Sequence, residues 1–180
     1  MHGNMSNKYF EKWPMIPKKL KRKRLIAPWG FTLVELMITI AIMAIAAGIA
    51  YPMLQRYAIN GNLKTATRDI ASDFARLKES ALAEMRMYQM QINTGNNTVT
   101  LQQCNAQGSP CTGWTTTQVK NLSGYANDIV FDAGTTVTNC FFQTRGTVTS
   151  GTIRLRNSRN STATITINFT GRTNVQFNMQ

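Results

Sequence analysis

Histidine is almost missing from this 180-residue chain: the single one is His2. Acids are scarce as well, with eight Asp and Glu against twenty Lys and Arg, and there are three cysteines. Past position 2 there is therefore no imidazole for general acid–base chemistry, and no G-x-S-x-G stretch supplies an exposed nucleophile. A zinc site is argued against on the same grounds, because the cysteines do not repeat a CxxC spacing and no histidine is at hand to complete a set. The expectation is a protein that is not an enzyme and needs no cofactor or metal.

The most telling scarcity is local. From Leu36 to Leu54 the chain has no charged side chain at all, and about 20 apolar residues are what a membrane-spanning helix requires. Ahead of this run stands the basic block Lys18-Lys19-Leu20-Lys21-Arg22-Lys23-Arg24. Basic residues beside a hydrophobic helix stay cytoplasmic, so everything after Pro52 is expected on the far side of that membrane. Just before the run, within Gly30-Phe31-Thr32-Leu33-Val34-Glu35-Leu36, lies one carboxylate. An ionisable group at membrane depth costs ~2.5–3.5 kcal/mol even on lenient scales, so Glu35 calls for a function. If the chain is cut after Gly30, Phe31 becomes a free amino terminus one helical turn from Glu35, and such an amine on a neighbouring subunit is a partner for the acid. Two plainer readings compete. Ala44-Ile45-Ala46 or Gly48-Ile49-Ala50 resembles an ordinary signal peptidase site, but the charge inside the apolar run is awkward for a signal peptide. A simple signal anchor explains the basic flank and leaves Glu35 unexplained.

Gly30, Phe31, Glu35, the basic leader and the Ile/Ala-rich continuation together resemble the class III signal of type IV prepilins and type II secretion pseudopilins. The resemblance implies that a membrane-bound prepilin peptidase cuts after Gly30 and N-methylates Phe31. It also implies that Glu35 serves assembly, and that the partners are other pilin or pseudopilin subunits and an inner-membrane assembly platform. The implied location is the bacterial inner membrane, single-pass with a periplasmic C-terminal domain, and an extracellular filament after assembly.

Cleavage would change the charge of the protein. Up to Gly30 there are eight Lys or Arg and one acid, leaving twelve basic and seven acidic side chains in residues 31–180, so most of the formal +12 belongs to the leader. The exported part is large enough for one small domain. Cys104 and Cys111 bracket the turn-rich Asn105-Ala106-Gln107-Gly108-Ser109-Pro110, a loop that a disulfide can close in an oxidising compartment. Cys140 stands in an apolar strand-like run as a candidate buried thiol. Cys104–Cys111 is the favoured pairing, with the two pairings through Cys140 left open.

Periodicity divides the rest. Residues 1–30 read as a leader, 31–54 as the apolar helix, 55–92 as its amphipathic continuation and 93–180 as an antiparallel β domain. Leu63, Ala66, Ile70, Phe74, Leu77, Ala81, Met85 and Tyr88 recur at helical spacing, which predicts a helix to about Met90 with Pro52 as a kink. Met85, Met87 and Met90 read as packing filler and not as a metal set. Beyond Asn97 the period becomes two, and strands are expected over 98–102, 114–120, 128–131, 135–142, 151–156, 162–169 and 173–178. A long helix followed by an antiparallel sheet is an α+β arrangement; under the resemblance it is the pilin fold.

The C-terminal half adds detail. Ala75-Arg76-Leu77-Lys78-Glu79-Ser80-Ala81, Phe142-Gln143-Thr144-Arg145-Gly146, Gly151-Thr152-Ile153-Arg154-Leu155 and Ile165-Thr166-Ile167-Asn168-Phe169-Thr170-Gly171-Arg172 resemble, in order and spacing, GspH/FimT-type proteins. That resemblance implies a minor type IV pilin with a part in filament initiation or tip structure. The alternatives are a GspH-like minor pseudopilin of type II secretion or a FimT-like pilin that binds DNA for natural transformation. Arg154, Arg156, Arg159 and Arg172 are the candidate DNA contacts, against the plainer role of charges that discourage sheet aggregation. The G-R-x-R pattern of FimT-like proteins is incomplete here, where the chain reads Gly171-Arg172-Thr173-Asn174.

Overall fold

A computed structural model describes residues 30–180; the basic leader and its block at 18–24 lie outside the described residues. One helix, α1 (Leu33–Ala83), is followed by eight strands: β1 (Arg86–Asn93), β2 (Thr98–Gln107), β3 (Trp114–Asn121), β4 (Val130–Phe131), β5 (Asn139–Phe142), β6 (Gly151–Arg156), β7 (Thr162–Ile167) and β8 (Thr173–Asn178). They form two four-stranded antiparallel sheets, ordered β3-β2-β1-β5 and β4-β6-β7-β8. The expected α+β architecture, an apolar N-terminal helix leading into an antiparallel β domain, is what the chain adopts.

The helix runs through Pro52 without interruption. Its C-terminal half buries Leu63, Ala66, Thr67, Ile70, Asp73, Phe74, Leu77 and Ala81, the stripe expected from the spacing up to that point. The apolar ones among them share one core with Met90, Val99 and Leu101 of the first sheet and Ile153, Leu155 and Ile165 of the second. Phe74 and Phe142 meet with ring centroids 5.4 Å apart, tilted, a geometry worth ~0.5–1.5 kcal/mol beyond the area it buries.

The helix does not reach Met90 or residue 92, and this corrects the expectation. It stops at Ala83, Met85 adopts a left-handed φ of 51°, and Arg86–Asn93 is a strand at the interior of the first sheet, paired with β2 and β5. The turn carries neither glycine nor proline, and Met, Gln and Arg are good helix formers, so the local sequence conceals the stop. Two strand partners outweigh that propensity. In the strand Tyr88, Met90 and Ile92 are buried, whereas Met85 is 60% exposed and belongs to no packed stripe. Of the three methionines only Met90 is buried core.

A charged clamp fastens the helix to the edge of the first sheet. Lys120 Nζ of β3 lies 2.6 Å from Asp69 Oδ2 and 2.6 Å from Asp73 Oδ2, and Arg76 Nη2 lies 3.0 Å from Asp73 Oδ1. Tyr125 also donates to Asp69. Burial opposes ionisation of Asp69, but the hydrogen bonds from Lys120 and Tyr125 outweigh it and hold the carboxyl below its ordinary range. Burial likewise disfavours the Lys120 ammonium, and the two carboxylates more than restore it, leaving its pKa raised.

The cysteines settle as the favoured pairing. Cys104 and Cys111 are disulfide-bonded with Cα atoms 5.7 Å apart, across the connection between β2 and β3. Cys140 is free, fully buried in β5, and burial pushes its thiol up to about 12.

Candidate functional site

The N-terminal part of α1 differs from the rest in what it touches. Every residue from Gly30 to Ala58 is exposed, including Phe31 at 78%, Ile49 at 74% and Tyr57 at 81%. Among the described residues α1 alone is long and apolar enough to cross a membrane. Soluble monomers rarely show so extended an apolar surface, so this segment is built to be covered by lipid or by other helices.

The first turn of the helix is where the candidate residues gather. Thr32 is the cap: the Glu35 amide donates to Thr32 Oγ1 at 3.1 Å and the Leu36 amide to the Thr32 carbonyl at 3.1 Å. Glu35 therefore occupies the third helical position, where an acid meets the positive end of the helix dipole and completes a T-x-x-E capping pattern. Gly30 and Phe31 precede the helix as exposed, non-helical chain, and a Cβ at Gly30 would meet nothing within 4 Å. The chain is thus sterically open around Gly30 and Phe31. Thr32 was legible as a cap from its spacing to Glu35 but carried no role in the sequence expectations.

The four arginines considered as DNA contacts are not one patch. Arg154 and Arg156 project from the face of β6 opposite the buried Ile153 and Leu155, and both turn to Asp132, with Nε atoms 3.2 and 3.6 Å from its carboxylate oxygens. Arg159 lies in the turn between β6 and β7. Arg172 lies in the turn between β7 and β8, at the opposite end of the sheet, where Gly151 pairs with Ile167 and Ile167 with Thr173. Five residues of strand, about 16 Å, separate that end from Arg156. The expected cluster is corrected on that point: antiparallel pairing carries residues near in sequence to opposite ends.

Gly171 in the same turn has a structural duty. Its φ is +72°, and a Cβ there would stand 2.8 Å from Val148 Cγ2 and 2.9 Å from Lys78 Cδ, while Lys78 Nζ donates to the Thr170 carbonyl at 2.8 Å. The turn closes against the helix, which accounts for the glycine of the T-G-R stretch. Among the described residues no three His, Cys, Asp or Glu side chains come together as a metal set.

The fold has solved counterparts. The minor pseudopilin EpsH of the type 2 secretion system of Vibrio cholerae superposes with a TM-score of 0.51 at 16% identity, covering 66% of this chain and 97% of that one. A second structure of it gives 0.50 at 15% identity, covering 64% and 93%. Residues 30–51 match the family model described as the prokaryotic N-terminal methylation motif. The signature is thus a prokaryotic N-terminal methylation motif, and the fold is the one seen in the minor pseudopilin EpsH. A further similar structure is the type IV minor pilin FimU of Pseudomonas aeruginosa, at TM-score 0.47 and 14% identity, covering 63% of this pilin-like chain and 92% of FimU. Comparison of the sequence with curated proteins gave no match.

Proposed function

We propose that this pilin-like chain is a minor subunit of a type IV pilus that acts in filament initiation or at the tip. Prepilin peptidase cleaves it after Gly30 and methylates Phe31. The single-pass helix over 31–54 then holds it in the bacterial inner membrane, with the β domain in the periplasm, until the assembly platform draws it into a filament. There the apolar segment packs among helices of other subunits, and Glu35 pairs with the Phe31 amine of a neighbour. One observation carries this reading: a closed, fully packed β domain is continuous with a helix half that is exposed along its whole length and has a single carboxylate, in its first turn. Helices sharing a dry core need no polar side, which suits that segment. A register that left Glu35 unpaired would bury an uncompensated charge at about 3–5 kcal/mol.

The reading is tested by deleting the gene and counting surface pili, with the full chain restored as control. Loss of piliation is expected. Intact pili together with loss of secreted enzymes would overturn it in favour of the second reading, a minor pseudopilin of type II secretion, the role named for EpsH. DNA capture is the poorer reading, because Arg154 and Arg156 are engaged by Asp132 and Arg172 stands at the other end of the sheet.

A further inference from the structure

Where α1 leaves the core there is a groove of about 450 Å³, lined by Met53, Arg56, Tyr57, Lys64, Met179 and Gln180. Its wall is fastened: Asn60 Nδ2 donates to the Gln180 carbonyl at 3.2 Å, Asn157 Nδ2 to Asn60 Oδ1 at 3.0 Å, and the Gln180 amide to Ser161 Oγ at 2.9 Å. The charged side chains here have one sign. Between Glu35 and Asp69 the chain has no acid, while Arg56, Lys64 and Arg68 are all exposed and, among the described residues, enter no ion pair.

Depth along the helix gives the groove its meaning. Leu36 to Leu54 is nineteen residues, or about 28 Å of helix at 1.5 Å per residue, close to the hydrocarbon thickness of a bilayer. The groove begins at Met53, so it lies at headgroup level on the domain's side. Tyr51 and Tyr57, 64% and 81% exposed, bracket that level as interfacial aromatics do. Basic residues on the exported flank run against the orienting bias of the leader. Once cleavage removes the leader's eight basic side chains, Arg56 and Lys64 are the first basic residues beside the span. Their placement has a purpose if an anion waits at that depth.

We propose that this groove holds the phosphate of an anionic phospholipid headgroup in the leaflet facing the β domain, with Arg56 and Lys64 on the phosphate and Met53 against the upper acyl chain. The proposal rests on the reading that 36–54 spans a membrane. It is tested on the full chain in detergent micelles doped with phosphatidylglycerol or with phosphatidylcholine, by native mass spectrometry of the lipid retained. Phosphatidylglycerol is expected to be retained about thirtyfold over phosphatidylcholine, the combined preference of two basic residues for an anionic headgroup. That preference should vanish in Arg56→Gln/Lys64→Gln, persist in Arg145→Gln, and survive millimolar inorganic phosphate. Equal retention of the two lipids, a preference untouched by the double substitution, or displacement by free phosphate overturns it. So does a double variant that keeps its lipid and loses only filament incorporation, which would make the groove a contact for an acidic protein surface. Carbonate extraction of native membranes separates the two readings. A chain that washes out contradicts the span, whereas one that stays embedded without lipid preference contradicts the groove alone.

Discussion

The backbone amide of Glu35 donates to Thr32 Oγ1 at 3.1 Å, so the acid that stands out in the sequence is also the third residue of a capped helix. Capping and the helix dipole offer a competing reason for an acid here, and magnitudes decide between them. An acid in the first turn gains ~0.3–1 kcal/mol from the dipole, less than the ~2.5–3.5 kcal/mol of holding it at membrane depth. The cap alone does not offset the burial, which leaves room for an intersubunit partner. Glu35→Gln separates the roles, because glutamine keeps the capping pattern and removes the charge. Cleavage and membrane insertion should be unchanged, while the amount in sheared filaments should fall about tenfold or more, the effect of leaving a neighbour's amine unpaired. Wild-type amounts in the filament fraction would assign Glu35 to the helix start alone.

Processing has its own readout. Replacing Gly30 with a bulkier residue, as in Gly30→Val, should block cleavage and leave the protein heavier by the whole leader when measured by intact mass. Since a Cβ at Gly30 meets nothing within 4 Å in the chain itself, folding of the β domain should be unaffected. A normally cleaved Gly30→Val protein contradicts the assignment of the cut.

Lys120 ties the helix to the sheet by charge, and that tie should appear in the pH dependence. Asp69 has its carboxyl held below the ordinary 3.8, so its contribution is present above that pH and is lost as pH falls through the lower folded value. Lys120 is raised above 10.5, so its contribution is complete below that pH and is lost as pH rises through the higher folded value. Thermal melts of the full chain in detergent should therefore show a plateau with both flanks falling. Lys120→Met leaves the 4%-exposed Asp73 short of a partner and should cost about 3 kcal/mol at neutral pH, with a shallower acid flank. Parallel pH profiles for the two proteins would refute the clamp.

Legibility in the sequence followed the range of the interactions. The strands at 151–156 and 173–178 have the expected bounds, because alternation and turn residues are local signals. The strand at 86–93 escaped, because its evidence is non-local: it becomes a strand by lying between β2 and β5 while its own residues favour a helix. The N-terminal methylation motif over residues 30–51 was legible because its residues lie close together in sequence. The clamp of Lys120 on Asp69 and Asp73 was not, since it joins residues some fifty positions apart, and neither was the separation of Arg172 from Arg156, which only sheet register reveals.

Gly171 offers a test of the turn that meets the helix. At φ +72° a side chain is strained, and the added methyl would press on Val148 and Lys78 at 2.8 and 2.9 Å. Gly171→Ala should destabilise by about 1–3 kcal/mol. Lys78→Met removes the hydrogen bond to Thr170 without adding bulk and should cost about 1 kcal/mol. A Gly171→Ala protein melting with the wild type would mean that the turn is loose.

The disulfide supports a different edge. Cys104 and Cys111 close a loop of seven residues' separation at the end of β2, and Arg86 Nη1 donates to the Cys104 and Asn105 carbonyls at 2.8 and 3.2 Å, so the bond anchors the place where β1 begins. Closing so short a loop restricts the unfolded chain by about 2–3 kcal/mol on the chain-entropy account, and Cys104→Ser/Cys111→Ser should lose that amount in denaturant unfolding. Cys140 should take no part, being fully buried with its thiol pushed up to about 12. Mild reduction followed by alkylation of the folded protein should therefore label two thiols, and unfolding in denaturant should release the third. One thiol labelled before reduction would contradict the burial if it maps to Cys140 and the pairing if it maps to Cys104 or Cys111, and three labelled while folded would contradict the burial. Labelling of two on reduction with no loss of stability would instead place the resistance to unfolding in the β1–β2 pairing and the Arg86 contacts, which hold the same corner without the bond.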